Sequence, residues 1–174
     1  MQALMLRVAA AMDRVAKAAL WLAGAGLVLM TVFVAAQVFW RYVLNSSLMW
    51  SEPGAVILMG WFIFLGAAVG IREGYHLSFD VLLYVLPRRA KLVLFSVSDA
   101  VVVAFGCGMV WYGWQLAAAN AGRKLPSLGV SGAFDFAPLV MGGVLMVLFS
   151  LERLARRAAG LPTARFGDQG GEAV

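Results

Sequence analysis

One cysteine, one histidine and few charges set the first limits on this 174-residue chain. Cys107 stands alone, so no internal disulfide can form, and inside an apolar run it reads as a small packed hydrophobe. A single histidine, His76, cannot give the two imidazoles that bis-histidine haem ligation in a membrane cytochrome needs. One His and one Cys far apart make no metal ligand set. No Ser-His-Asp constellation can be built around His76, and no phosphate-cradling glycine motif is present. The expectation is a protein without catalytic residues, metal or cofactor, and so not an enzyme.

Charged residues make up 13 % of the chain, against about a quarter in globular proteins. Hydrophobic residues reach 63 %, more apolar surface than a soluble domain of this size can hide. Lipid is the expected solvent. A formal charge of +5 would suit nucleic acid only if the basic residues shared one patch. They fall instead in the gaps between apolar runs.

Four runs read as spans. Residues 18–40 contain no charge, and their length gives about 34 Å of helix against a hydrocarbon core of roughly 30 Å. A signal peptide is the rival reading, since Arg7, Arg14 and Lys17 precede the run. The run is too long for that and continues through Trp40, past any cleavage site near Ala35-Ala36. Residues 54–71 form the second span, introduced by Ser51-Glu52-Pro53 as cap, first-turn acid and early proline. The third covers 92–115 and is interrupted only by Asp99, and the fourth covers 135–151. Residues 77–86, before Pro87 and Arg88-Arg89, are too short to span and suit an interfacial helix. Asn120 to Phe136, rich in Gly, Pro and Ser, reads as an ordered outer loop. The fold class is an all-α integral membrane protein, with a membrane domain over 1–159 and a mobile tail over 160–174. No internal repeat supports an inverted-repeat carrier.

Basic residues set the sidedness. Eleven of the fourteen Lys and Arg lie in the N-terminal segment, the connection between spans two and three, and the C-terminal tail. Only Arg41, Arg123 and Lys124 lie in the other two connections. Both termini and the connection between spans two and three are therefore expected in the cytoplasm.

Asp99 is the one acid inside a span, about 12 Å along the helix from Lys91. A carboxylate at helix centre costs about 2.5–3.5 kcal/mol on insertion scales, so it must face protein or water. It is either a proton or cation site, or an acid bonded to Ser96, Ser98 or a basic group such as Arg72. Its few polar companions favour the second reading. Glycines within the spans (among them Gly26, Gly66, Gly106 and Gly143) suit close helix approach. Tryptophans and tyrosines at the span ends suit an interfacial belt, whereas the deeper Trp61 suits packing on a neighbour. Asn45-Ser46-Ser47 matches a glycosylation pattern but reads as a turn.

The segments RYVLNSSLMWSE (Arg41–Glu52) and WFIFLGAAVGIREGYH (Trp61–His76), with Asp80 and Pro87 after them, make the pattern recognisable. It resembles the small membrane subunit (DctQ-type) of tripartite ATP-independent periplasmic (TRAP) transporters. The resemblance is specific over roughly Leu27 to Arg89 and rests beyond that on span count and the LPSLGV loop. It implies a four-span protein held against a larger DctM-type membrane subunit that carries the substrate and ion sites. It also implies a periplasmic substrate-binding protein that delivers a small carboxylate or other organic anion. Carried over residue by residue, Arg41, Trp50, Glu52, Trp61, Arg72, His76 and Asp80 become framework or interface positions. The family's two consecutive acids and following arginine are broken here, because Pro53 follows Glu52 and Val56 stands at the arginine position. Arg41 and Glu52 remain candidates for a bracing charge pair across the turn.

The leading expectation is a non-catalytic subunit of an ion-gradient-driven uptake system. It would brace the large subunit and help to dock the binding protein. The alternatives are a self-sufficient small carrier working through Asp99, or a membrane anchor for a redox or signalling complex.

Overall fold

The computed structural model describes residues 2–74, 87–125 and 127–159. Four long helices dominate it: α1 (Gln2–Val43), α2 (Ser51–Glu73), α3 (Arg88–Asn120) and α4 (Ala137–Ala158), with a 3-10 turn, Gly132–Asp135, before α4. Each is long and apolar enough to cross a membrane, so the all-α, four-span class holds. The expected interfacial helix over 77–86 and the tail over 160–174 lie outside the described residues.

The helix ends follow local chemistry. The amides of Leu44 and Ser46 both donate to the carbonyl of Trp40, and Asn45 turns the chain at φ 49°. Asparagine tolerates this left-handed conformation better than most residues. Ser51 was expected to cap α2, but it is the first helical residue, and Trp50 is the cap without a side-chain bond. The Ser51 hydroxyl donates instead to the carbonyl of Leu48 at 2.8 Å, and the residue is fully buried. Gly74, at φ 84°, closes α2 and donates to Ile71. Pro87 caps α3 in extended conformation, so Arg88 and Arg89 belong to the first turn of that helix, not to the connection before it. The loop between α3 and α4 is ordered through Ser131, which accepts from the amide of Ala133 and donates to the carbonyl of Ala121.

The main packing order is α1–α2–α4–α3. Chain direction alternates along the sequence, so α2 and α4 are parallel neighbours at the centre while α1 and α3 flank them. Small residues decide this order. Ala16, Ala19 and Ala23 of α1 join Leu65, Ala68 and Val69 of α2 in the core, a spacing that aligns them on one helical face. On α4, consecutive glycines serve two neighbours. A Cβ on Gly142 would lie 2.6 Å from the Cβ of Phe64 on α2. One on Gly143 would lie 3.0 Å from the Gly106 carbonyl on α3. Without Cβ atoms α4 fits between both helices, and it buries the largest share of its span. Of the span glycines, Gly26, Gly54, Gly60, Gly106, Gly113, Gly142 and Gly143 meet neighbours, whereas Gly24, Gly66, Gly70 and Gly108 meet nothing within 4 Å.

Candidate functional site

The polar residues of the bundle gather at one end, where α1 and α3 begin and α2 and α4 finish. Phe149 and Arg153 lie four residues apart on α4, as do Arg153 and Arg157. That spacing continues the inward face of the helix past its last apolar residue. Arg153 is therefore buried, at 2 % exposure.

Asp99 on α3 is the centre of this end. It is fully buried, with Oδ2 2.9 Å from Nη2 of Arg157 and Oδ1 3.5 Å from Nε of Arg153. Arg157 also donates to the hydroxyl of Ser96 at 3.2 Å and lies over the ring of Phe95. Arg153 donates to the carbonyl of Ile71, which ties α4 to the last turn of α2. The acid is thus held by two arginines of α4, and Arg72, the basic partner considered from the sequence, belongs to a second group.

Arg72 joins three helices. Its guanidinium lies 3.3 Å from Asp13 of α1, 3.7 Å from Glu152 of α4 and 3.9 Å from its neighbour Glu73, and it covers the ring of Phe149. Lys17 and Arg156 extend the group through Asp13 and Glu152. Low dielectric around the inner members strengthens each attraction, while desolvation opposes it. The result holds the helix ends together and offers a transported cation little, because the buried acid already has two guanidinium partners.

The opposite end is different. Arg41 is exposed and lies over the ring of Tyr42 at 5.9 Å. Among the described residues no ion pair joins it to Glu52. Trp50 packs edge-on against Phe33, with centroids 5.4 Å apart. Trp61 is half-buried against the core. Glu52 lines a cleft of about 560 Å³ together with Gln37, Ser47, Pro53, Val56 and Asp135. The structure therefore separates Arg72 and Asp99 at one end from Arg41, Trp50 and Glu52 at the other. His76 and Asp80 lie outside the described residues.

Sequence reasoning missed Asp13, Glu152, Arg153 and Arg157 as members of the site. The span expected over 135–151 stops short of Arg153, Arg156 and Arg157, but α4 continues to Ala158. The available signal was the continuing four-residue spacing from Phe149 to Arg153 and Arg157.

A four-span membrane protein with its intramembrane acid paired internally is the class that fold and site define. Residues 30–160 match the family "Tripartite ATP-independent periplasmic transporters, DctQ component", and the chain belongs to that family. It is 34 % identical over 119 residues to the sialic acid TRAP transporter small permease protein SiaQ of Vibrio cholerae, covering 68 % of each chain. Over 86 residues it is 29 % identical to the C4-dicarboxylate TRAP transporter small permease protein DctQ of the same organism, covering 49 % of this chain and 37 % of that one. The sialic acid TRAP transporter permease protein SiaT of Haemophilus influenzae is 28 % identical over 129 residues, which are 73 % of this chain but 21 % of SiaT. The chain is a TRAP small permease subunit and a multi-pass membrane protein, and its relatives are transporter subunits, not enzymes.

Proposed function

We propose that this subunit braces a large DctM-type transporting subunit in the bacterial inner membrane and helps to dock a periplasmic substrate-binding protein. Uptake would be driven by an ion gradient through sites on the large subunit. The observation that carries this reading is the internal pairing of Asp99 with Arg153 and Arg157. A carrier exposes its intramembrane charges to a pathway, whereas here they fasten helices to one another. The large exposed apolar side chains of α1 and α3, such as Leu22, Val28, Val101 and Phe105, face outward as surface for lipid or a larger partner. SiaT supports the pairing with a larger partner, since the matching segment there is a fifth of a longer permease.

The end bearing Arg72, Arg153 and Arg157 is assigned to the cytoplasm by the basic-residue bias. The cleft with Glu52 and Asp135 then faces the periplasm, where the binding protein arrives. In this reading Arg41, Trp50 and Glu52 serve the outer surface, and Arg72 with Trp61 the frame. The substrate class is a small organic anion, as with the sialic acid and C4-dicarboxylate named for the relatives.

Reconstitution tests it. The chain alone in liposomes should show no uptake. Adding the large subunit and the binding protein under an ion gradient should restore it. Asp99→Asn should leave substrate preference unaltered in that system. Uptake by the chain alone would overturn the reading.

A further inference from the structure

Beyond the subunit reading, we propose that a groove between α3 and α4 at the basic end holds an acyl chain of an anionic phospholipid, with its phosphate on Arg157. Val93, Val97, Ala100, Leu154 and Ala158 form apolar walls, and Ser96 and Arg157 form the polar margin, around a groove of about 710 Å³. From Val93 to Ala100 the groove follows α3 for about 10 Å, which fits within one leaflet, roughly 15 Å deep, of a hydrocarbon core of roughly 30 Å. Arg157 is in the last turn of α4, so the polar margin lies at the basic end of the bundle.

Charge selects the headgroup. Two guanidiniums, Arg153 and Arg157, share the single carboxylate of Asp99, and Glu152 is engaged with Arg72 and Arg156. One positive charge is left over at this point among the described residues. Arg157 offers five N–H donors, of which the structure accounts for one contact at Nη2 and one at Nη1. A phosphate oxygen can take a remaining donor. Lys91 is one turn before Phe95, the ring that Arg157 covers, and this places a second cation on the same face of α3. A docked protein helix would meet only a narrow depression with cations at one end. A lipid supplies both the apolar chain and the anion.

The test uses the full chain, purified in detergent and given equimolar phosphatidylglycerol and phosphatidylcholine, with bound lipid read by native mass spectrometry. Phosphatidylglycerol should be retained about fivefold over phosphatidylcholine, the ratio expected for one basic side chain near an anionic headgroup. Val97→Trp and Ala100→Trp, each at an exposed groove wall, should both remove the preference while helical content by circular dichroism is unchanged. Glycerol 3-phosphate, which has the charge without the chains, should not displace the lipid. Equal retention of the two lipids by the unaltered chain would overturn the proposal, and so would a preference that survives either tryptophan. Displacement by glycerol 3-phosphate would reduce the site to a phosphate contact and overturn the acyl-chain assignment. A photo-crosslinker at Val97 that captures polypeptide in native membranes would assign the groove to a protein and overturn it as well.

Discussion

Asp99 on α3 and Arg157 on α4 meet at 2.9 Å with the carboxylate fully buried. Arg153 approaches the other oxygen of the same acid at 3.5 Å. Two helices that cross with little but apolar contact along most of their length are therefore locked at one end by charge.

Removing one side of that lock should cost more than removing all of it. Asp99→Ala leaves the buried Arg153 and the part-buried Arg157 without their acid and should destabilise the chain by about 3–5 kcal/mol, the range for one-sided loss of a buried pair. Asp99→Leu combined with Arg153→Met and Arg157→Met should recover most of that loss. Unfolding of the purified chain in mixed micelles measures both. A triple variant no more stable than Asp99→Ala would count against the pairing as the cause.

The glycine contacts give a contrast within one helix. Gly106→Leu puts a side chain where even a Cβ lies 2.8 Å from Val147, and overpacking of this kind costs about 1–3 kcal/mol or more. Gly108 meets nothing within 4 Å, so Gly108→Leu should change stability by less than about 0.5 kcal/mol. Similar losses at both sites would contradict the α3–α4 approach.

Arg72 should couple unequally to its acids. Asp13 is 45 % exposed at its side chain and Glu152 only 7 %. A double-mutant cycle for Arg72 and Asp13 should give less than about 1 kcal/mol, as exposed pairs do. The cycle for Arg72 and Glu152 should give the larger value. The reverse order would place the brace on α1 and not on α4.

At the end opposite this lock, Arg41→Ala and Glu52→Ala should lower co-purification with the large subunit or docking of the binding protein. The ratio of uptake rates for competing substrates should stay constant. A changed ratio from either substitution would assign that residue to substrate selection.

The sequence alone determined the class of this protein. Charge-free runs of membrane length, the basic-residue bias and the Arg41–Glu52 and Trp61–His76 segments were enough for a four-span small permease subunit, because hydropathy and local motifs are properties of consecutive residues. It also marked Asp99 as an acid in need of a partner. Which partner it has was decided only in the tertiary structure. Arg153 and Arg157 are more than fifty positions away, and they reach Asp99 because α4 extends beyond its apolar run and packs against α3. The same holds for Arg72, whose acids come from α1 and α4, and for the parallel seating of α2 beside α4. The turn from Arg41 to Glu52 looked from its sequence like a site for a charge pair, yet the structure orders it through the Ser51 hydroxyl and the Asn45 turn. Local pattern fixes what a segment is, but pairing between distant segments depends on which helical faces can approach, and here two glycines on α4 settle that.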